Sequence, residues 1–273
     1  MSRNCNLFAI GLEQMDGNIL TLTIRKMKSL CLKFNRLLAP VLFALAVAVT
    51  PLRADDQMVQ SSGAVPSSHL HYLADGKPDA IALLAPPPLP DSPEQAADMA
   101  EVKAVFRAAS SNDIAAAYSE KKFDIFNFTP AIGDFFQPGK FPKTEAFFER
   151  VQTDAETVTD SAKDFYKRPR PYVTDPSLIN GKLEKSFSYP SGHSTESMTL
   201  ALILADLFPD QHDAIIAKAR NIGWHRVQTA RHYMTDIYAG RVLAQAIVRE
   251  MKTSPDFQKD FAEVKAELAA GHK

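Results

Sequence analysis

The sequence predicts an all-α protein, a compact helical bundle of one domain. Three observations carry this. From residue 92 to 269, apolar residues recur at three-and-four spacing between capping and breaking residues. No segment alternates convincingly, as a half-buried strand would. The run "SMTLALILADLF" (197–208) is apolar all round, which suits a helix in the middle of a bundle and is too short to cross a bilayer.

The N-terminus reads as separate from that bundle. From Met27, the residues Lys28, Lys33 and Arg36 form a basic region, residues 37–49 a short apolar one, and Ala54 a small residue before Asp55. This is the pattern of a cleaved secretory signal peptide, which predicts a periplasmic or secreted protein cut near Ala54. Residues 1–26 lack that logic and read as an upstream extension, with Met27 as the working start. Cys5 and Cys31, the two cysteines of the chain, both precede the cut, so the mature protein is expected to have no disulfide. The chain thus divides into 1–54 (extension and signal peptide), 55–92 (a loop-rich strap over the surface) and 93–273 (the helical domain). In the strap, Pro86, Pro87 and Pro88 favour an extended path.

Ser92 followed by Pro93 opens the first long helix, with Ala97, Ala100, Val105 and Ala108 on its expected inner face. "NDIAAAYSEK" continues as a second helix. The aromatic stretch "FDIFNFTPAIGDFFQPGKFP", broken by Pro and Gly, reads as short turns packed into the core. From Lys143 a long helix places Phe147, Val151, Ala155, Val158, Ala162 and Phe165 on one stripe. Further helices are expected over about 192–208, 210–229, 233–251 and 255–269.

A formal net charge of −1 points to no nucleic acid or anionic surface as partner. Chemistry concentrates in three clusters. In "KDFYKRPRP", Lys163 lies near a helix end, and Pro169 and Pro171 force an extended path that folds Arg170 back beside it. Lys167 and Arg168 read as a solvated charge run. In "PSGH", Ser191 and Gly192 open a helix whose first N–H groups and dipole suit a multi-oxygen anion. Gly192 allows close approach, and His193 stands beside the anion, able to give up a proton. In "HRVQTARHYMTD", His232 and Asp236 are four apart and read as one helix face. There the carboxylate can hold one ring nitrogen's proton and leave the other nitrogen's lone pair outward, as a nucleophile or base requires. Arg226 adds a third fixed cation to Lys163 and Arg170. Each cluster alone is equally a capped helix, a structural His–Asp pair or a charged surface.

In order and spacing, Lys163-x6-Arg170-Pro171, Pro190-Ser191-Gly192-His193 and Arg226-x5-His232-x3-Asp236 together resemble the signature of the type 2 phosphatidic acid phosphatase superfamily. The front half, with "YLADGKPDAIALLAPPPLPDSPEQAADMAEV" and "FTPAIG", is similar to the class A non-specific acid phosphatases, and the resemblance covers nearly all of 72–251. It implies a secreted phosphomonoesterase of broad range. It implies that Lys163, Arg170, Ser191, Gly192 and Arg226 bind phosphate, that His232 forms a phosphohistidine, that His193 protonates the leaving alcohol and that Asp236 orients His232. No metal or cofactor is implied. The partners would be small-molecule phosphomonoesters, with no stable membrane span in the mature chain, and a homo-oligomer is compatible with the sequence. His225 stands where the family usually has serine. It is either a helix-end change of no consequence or an accessory donor near the phosphate.

Three other readings compete. A vanadium-dependent haloperoxidase would use the same pocket; the short chain and the front half argue against it. A metal-dependent phosphoesterase could draw on His193, His225, His232 and Asp236 with His69 and His71, but three converging cations would repel a metal ion. A phosphate-binding protein without turnover would have no use for the His232–Asp236 pair opposite His193.

Overall fold

The computed structural model describes residues 70–271, and the expectations for the leader and for the start of the strap lie outside them. The described chain is helical, with no strand among the described residues. A single turn, α1 (Ala80–Leu83), is followed by α2 (Pro93–Ala108), α3 (Ser111–Ser119), α4 (Thr129–Ile132), α5 (Pro142–Tyr166), α6 (Pro171–Thr174), α7 (Gly192–Leu207), α8 (His212–Gln228), α9 (Met234–Met251) and α10 (Pro255–Gly271).

Local chemistry sets most of the boundaries. The Ser92 hydroxyl accepts from Gln95 N–H at 3.1 Å, with Pro93 in the first position of α2. Ser110 and Asp113 form a reciprocal capping box at α3. Helix α5 begins at Pro142 and ends where Lys167 turns left-handed at φ 49°. Between α3 and α5, Phe128 and Phe136 pack fully inside the short turns, as their aromatic content predicts.

Helix α7 is the central element and packs against α5, α8 and α9. Leu200, Ala201, Ile203 and Leu204 are fully buried, while Leu202 and Leu207 are partly buried on the outer side. Two glycines bring the neighbouring helices to its N-terminal end. A Cβ on Gly240 of α9 would lie 2.8 Å from Ser191 O, and one on Gly223 of α8 would lie 3.3 Å from Ser194 Oγ. Ser194 Oγ donates to Ile237 O at 2.8 Å, tying α7 to α9 at this crossing. A second apolar cluster of Val102, Tyr172, Leu178, Val227, Tyr233 and Ile237 supports the turn between α8 and α9. Residues 70–92 are held at both ends. His71 and Tyr72 donate their N–H groups to the buried Asp154 carboxylate at 2.8 and 2.7 Å, and Tyr166 and Tyr189 donate to Leu84 O and Ala85 O.

Three sequence expectations change. Phe165 is 57% exposed; Tyr166 continues the inner line of α5 instead, edge-to-face on Tyr189 at 5.0 Å. Ala97, Ala100 and Ala108 of α2 face out, and its buried line runs through Asp98 and Val102. Arg168 is not a solvated charge: it is buried and paired with Asp98, which explains the inward turn of α2. Among the described residues, no helix is long and apolar enough to cross a membrane.

Candidate active site

Four backbone segments meet at the N-terminal end of α7. The last turn of α5 and the strand-like stretch after it carry Lys163, Arg168 and Arg170. The start of α7 carries Ser191, Gly192 and His193. The end of α8 carries Arg226, and the turn into α9 carries Arg231, His232 and Asp236. Backbone hydrogen bonds clamp these segments together. Ser191 N–H donates to Asp236 O at 3.1 Å, Ser188 N–H to Arg168 O at 2.9 Å, and Arg231 N–H to Arg226 O at 2.8 Å.

His232 precedes α9 and does not lie on it as the i, i+4 spacing suggests. The contact forms all the same, because Asp236 sits in the first turn of α9 and reaches back over the helix end. Asp236 Oδ2 lies 3.3 Å from His232 Nδ1 and accepts from Tyr233 N–H at 2.9 Å and from Ser188 Oγ at 2.5 Å. On the other side of the ring, Arg170 Nη1 lies 3.1 Å from His232 Nε2. A guanidinium can only donate and the Asp236 carboxylate accepts, so the ring proton belongs on Nδ1, facing Asp236, while Arg170 Nη1 shares its two hydrogens among His232 Nε2, Arg231 O and Glu184. The imidazole is therefore neutral with its Nε2 lone pair turned toward the cations. Burial first, then Arg170 and Arg226, hold its pKa well below the ordinary histidine value. Burial raises the pKa of Asp236, against the pull of Arg168.

Arg170 is locked in place. Its Nε donates to Ser186 O at 2.8 Å, its Nη2 to Ser186 Oγ at 3.0 Å and its Nη1 to Arg231 O at 3.0 Å. Arg226 Nη2 and Arg170 Nη1, the latter at 2.7 Å, both meet the Glu184 carboxylate. Burial would raise the pKa of that carboxyl, but Arg226 and Arg170 override it and hold it at about 2. Lys163 pairs with Asp160 at 2.9 Å and sits against Gly192, where a Cβ would lie 3.2 Å from Lys163 Nζ and 3.2 Å from Glu196 Oε1. Gly192 thus makes room for the lysine. Ser191 caps α7, and the helix leaves the Gly192 and His193 N–H groups without an intrahelical acceptor.

His193 lies against Phe123 at 5.4 Å between ring centroids, and its buried Nε2 has no hydrogen-bond partner among the described residues. Burial, then Arg226, lowers its pKa to about 3. Arg226, Glu184 and Lys163 act on both histidines, which places the two rings in one field. His225 is engaged elsewhere: its Nδ1 lies 2.5 Å from Glu120 Oε2, and Lys218 pairs with the same carboxylate. A cavity of ≈ 90 Å³ opens between Arg226, Arg231, Lys121, Lys182, Tyr118 and Glu184.

The sequence reading misses Arg168, Asp98, Ser188 and Glu184. Arg168 Nη1 bonds Asp236 Oδ1 at 2.6 Å, its Nη2 bonds Asp98 Oδ2 at 2.7 Å, and its guanidinium lies 3.9 Å over the Tyr233 ring. The only hint in the sequence is a second arginine two residues before Arg170. Among the described residues, no group of three His, Cys, Asp or Glu is placed to hold a metal ion.

A neutral, buried histidine lies beside fixed guanidinium groups and a helix N-terminus, an arrangement whose charge and donors suit a multi-oxygen anion. The family model described as the PAP2 superfamily matches residues 153–259, a span that includes all of these segments. The chain is 30% identical over 216 residues to a non-specific acid phosphatase of Providencia stuartii, covering 73% of this chain and 85% of that protein. It is 29% identical over 212 residues to an acid phosphatase of Zymomonas mobilis, covering 74% and 79%. Among solved structures it is similar to a transmembrane PAP2 type phosphatidylglycerolphosphate phosphatase from Bacillus subtilis, with a TM-score of 0.45, 19% identity, and 64% and 89% of the two chains covered. The chain belongs to the PAP2 superfamily.

Proposed function

We propose that the protein is an acid phosphatase that hydrolyses phosphate monoesters of broad range through a phosphohistidine, with protein cations in place of a metal. The observation that carries this reading is the fixed tautomer of His232. Its Nε2 lone pair faces Arg170, and its Nδ1 proton faces Asp236. The similarity to two acid phosphatases supports the reaction class.

In the proposed reaction, Arg170, Arg226, Lys163, the Ser191 hydroxyl and the N–H groups of Gly192 and His193 bind the phosphoryl oxygens. Fixed positive charge stabilises the charge that spreads over those oxygens in the transition state. Nε2 of His232 attacks phosphorus, and the bond from phosphorus to the ester oxygen breaks. The leaving oxygen takes a proton from His193. Water then gives a proton to His193 and attacks the phosphohistidine, which releases phosphate and restores neutral His232. The pKa of His193 is held down to about 3, first by burial and then by the positive charge of Arg226 and Lys163. A bound phosphomonoester reverses that sign locally and raises the pKa, so His193 takes up its proton with the substrate.

The reading extends to delivery outside the cytoplasm and to the division at residues 54 and 92, both of which rest on sequence pattern. N-terminal sequencing of the mature protein tests the cut. Hydrolysis of p-nitrophenyl phosphate in the presence of EDTA tests the chemistry. Activity lost on chelation and restored by zinc or magnesium would refute the proposed set of cations. Single-turnover trapping separates the histidines. His232→Ala should form no phosphoenzyme from any substrate. His193→Ala should lose about 10²–10⁴-fold with a glycerol or sugar leaving group and much less with p-nitrophenolate, which departs without a proton.

A further inference from the structure

The carboxylate of Glu184 holds the two arginines that phosphate would need. One oxygen meets Arg226 Nη2 and the other lies 2.7 Å from Arg170 Nη1. This two-oxygen bridge between two guanidiniums matches what two oxygens of a phosphoryl group would make at the same place. The two nitrogens that Glu184 engages, Arg226 Nη2 and Arg170 Nη1, cannot fully serve a phosphoryl oxygen at the same time. The other donors of Arg170 are fixed on Ser186 and Arg231, so it has little freedom to turn.

We propose that Glu184 is a built-in competitor of the substrate, a carboxylate that occupies the anion site between Arg170 and Arg226 and withdraws when a phosphomonoester enters. The inference rests on the phosphate-binding reading given above and adds the residue that sets the affinity of that site.

The surroundings of Glu184 suit withdrawal. Its side chain is 30% exposed, whereas Arg170 and Arg226 are 3% and 6% exposed, so the acid and not the arginines has somewhere to go. It lies in the irregular segment between the 3-10 turn Pro176–Leu178 and α7. Its backbone is pinned independently of its side chain: Glu184 N–H donates to Tyr172 Oη at 3.1 Å, and Tyr172 Oη donates to Glu184 O at 3.1 Å. The side chain can therefore swing while the loop stays. It also borders the cavity of ≈ 90 Å³, whose lining of Lys121, Lys182 and Arg231 offers the displaced carboxylate new partners. A structural salt bridge would instead be enclosed on every side, as Arg168 is with Asp98 and Asp236.

The test is Glu184→Gln, which keeps the shape and removes the charge, with Glu184→Ala as a second variant. Isothermal titration with inorganic phosphate reads binding without turnover. Both variants should bind phosphate on the order of tenfold tighter than wild type, as expected if wild type loses one charge-assisted contact each time the anion enters. With p-nitrophenyl phosphate, KM should fall by a similar factor. Phosphate affinity unchanged or weakened in both folded variants overturns the proposal. If the variants bind phosphate more tightly but neither they nor wild type turn over substrate, Glu184 stands as a competitor and the phosphatase reading falls. If wild type turns over and the variants bind phosphate no better, the reverse holds.

Discussion

Removing the charge of Arg168 should destabilise the protein in a way that depends on pH. The guanidinium is 4% exposed and is shared by two carboxylates, Asp98 at 4% and Asp236 at 0% exposure. Arg168→Met keeps much of the volume and leaves two buried acids without their shared cation. Breaking a buried pair on one side costs about 3–5 kcal/mol, and this pair has a third member. Asp236 already has its pKa raised by burial, and Arg168 opposes that rise. Without the arginine it rises further. A carboxyl whose folded pKa exceeds its unfolded value of about 3.9 contributes its full stability below that value and loses it as the pH climbs through the folded one. The deficit of Arg168→Met should thus be small near pH 4 and reach several kcal/mol at pH 7.5. Urea unfolding followed by circular dichroism at both pH values measures it. Adding Asp98→Asn should recover about 1–2 kcal/mol at pH 7.5, the range of coupling between contacting residues. A deficit under about 1 kcal/mol, or one equal at both pH values, would show that the triad does not hold this end of the bundle.

Other substitutions probe other parts of the same end. Gly240→Ala places a methyl 2.8 Å from Ser191 O and should cost about 1–3 kcal/mol and reduce activity by moving the start of α7; unchanged Tm and kcat would refute the close-packing argument. Glu196 has its carboxyl raised to about 7, by burial and then by Glu156 against the lowering bond from Gln152, so its contribution is full below about 4.5 and is lost as pH rises through 7. Glu196→Gln should match wild type near pH 4 and exceed it by about 2 kcal/mol at pH 8, a figure reduced for the part of the side chain that remains exposed; an offset independent of pH would count against it. Vanadate, which takes five-coordinate geometry, should inhibit competitively at concentrations well below those of phosphate, and equal weak inhibition by both would argue against a transition-state site.

What the sequence discloses depends on how far apart the partners lie. Ser191, Gly192 and His193 are legible because a helix start needs only adjacent residues to define its geometry. Asp236 and His232 are legible as a pair because four residues suffice to bring them together, although a turn and a helix end, not a helix face, produce the contact. Arg168 is misread because its partners are 70 and 68 residues away, and a buried arginine looks like a solvated one until Asp98 is placed. The alanines of α2 fail for the same reason: the buried ion pair at Asp98, not hydrophobic periodicity, decides which face turns in. Glu184 carries no local signal in "NGKLEKSFS", where acid and base alternate as on an ordinary surface loop.

Arg168, Arg170, Arg226 and Lys163 at this end of the bundle pose one electrostatic problem with several partial solutions. Like charges a few ångströms apart in a poorly hydrated pocket repel strongly, and nearby carboxylates neutralise them. Asp98 and Asp236 neutralise Arg168 permanently, since none of the three reaches solvent. Asp160, half exposed, draws on Lys163 from outside. Glu184 neutralises Arg170 and Arg226, and it alone combines both arginines with partial exposure. Burial first, and then the positive field of Arg170 and Arg226, keep His232 neutral, because protonating the ring would add another like charge beside Arg170. In the proposed mechanism, anion binding and nucleophile activation would therefore draw on the same charges. Arg170→Ala should weaken phosphate binding and also raise the pKa of His232, which moves the acid limb of the kcat/KM profile to higher pH. A variant that lost affinity while keeping the wild-type acid limb would separate the two effects and show that burial by itself keeps His232 unprotonated.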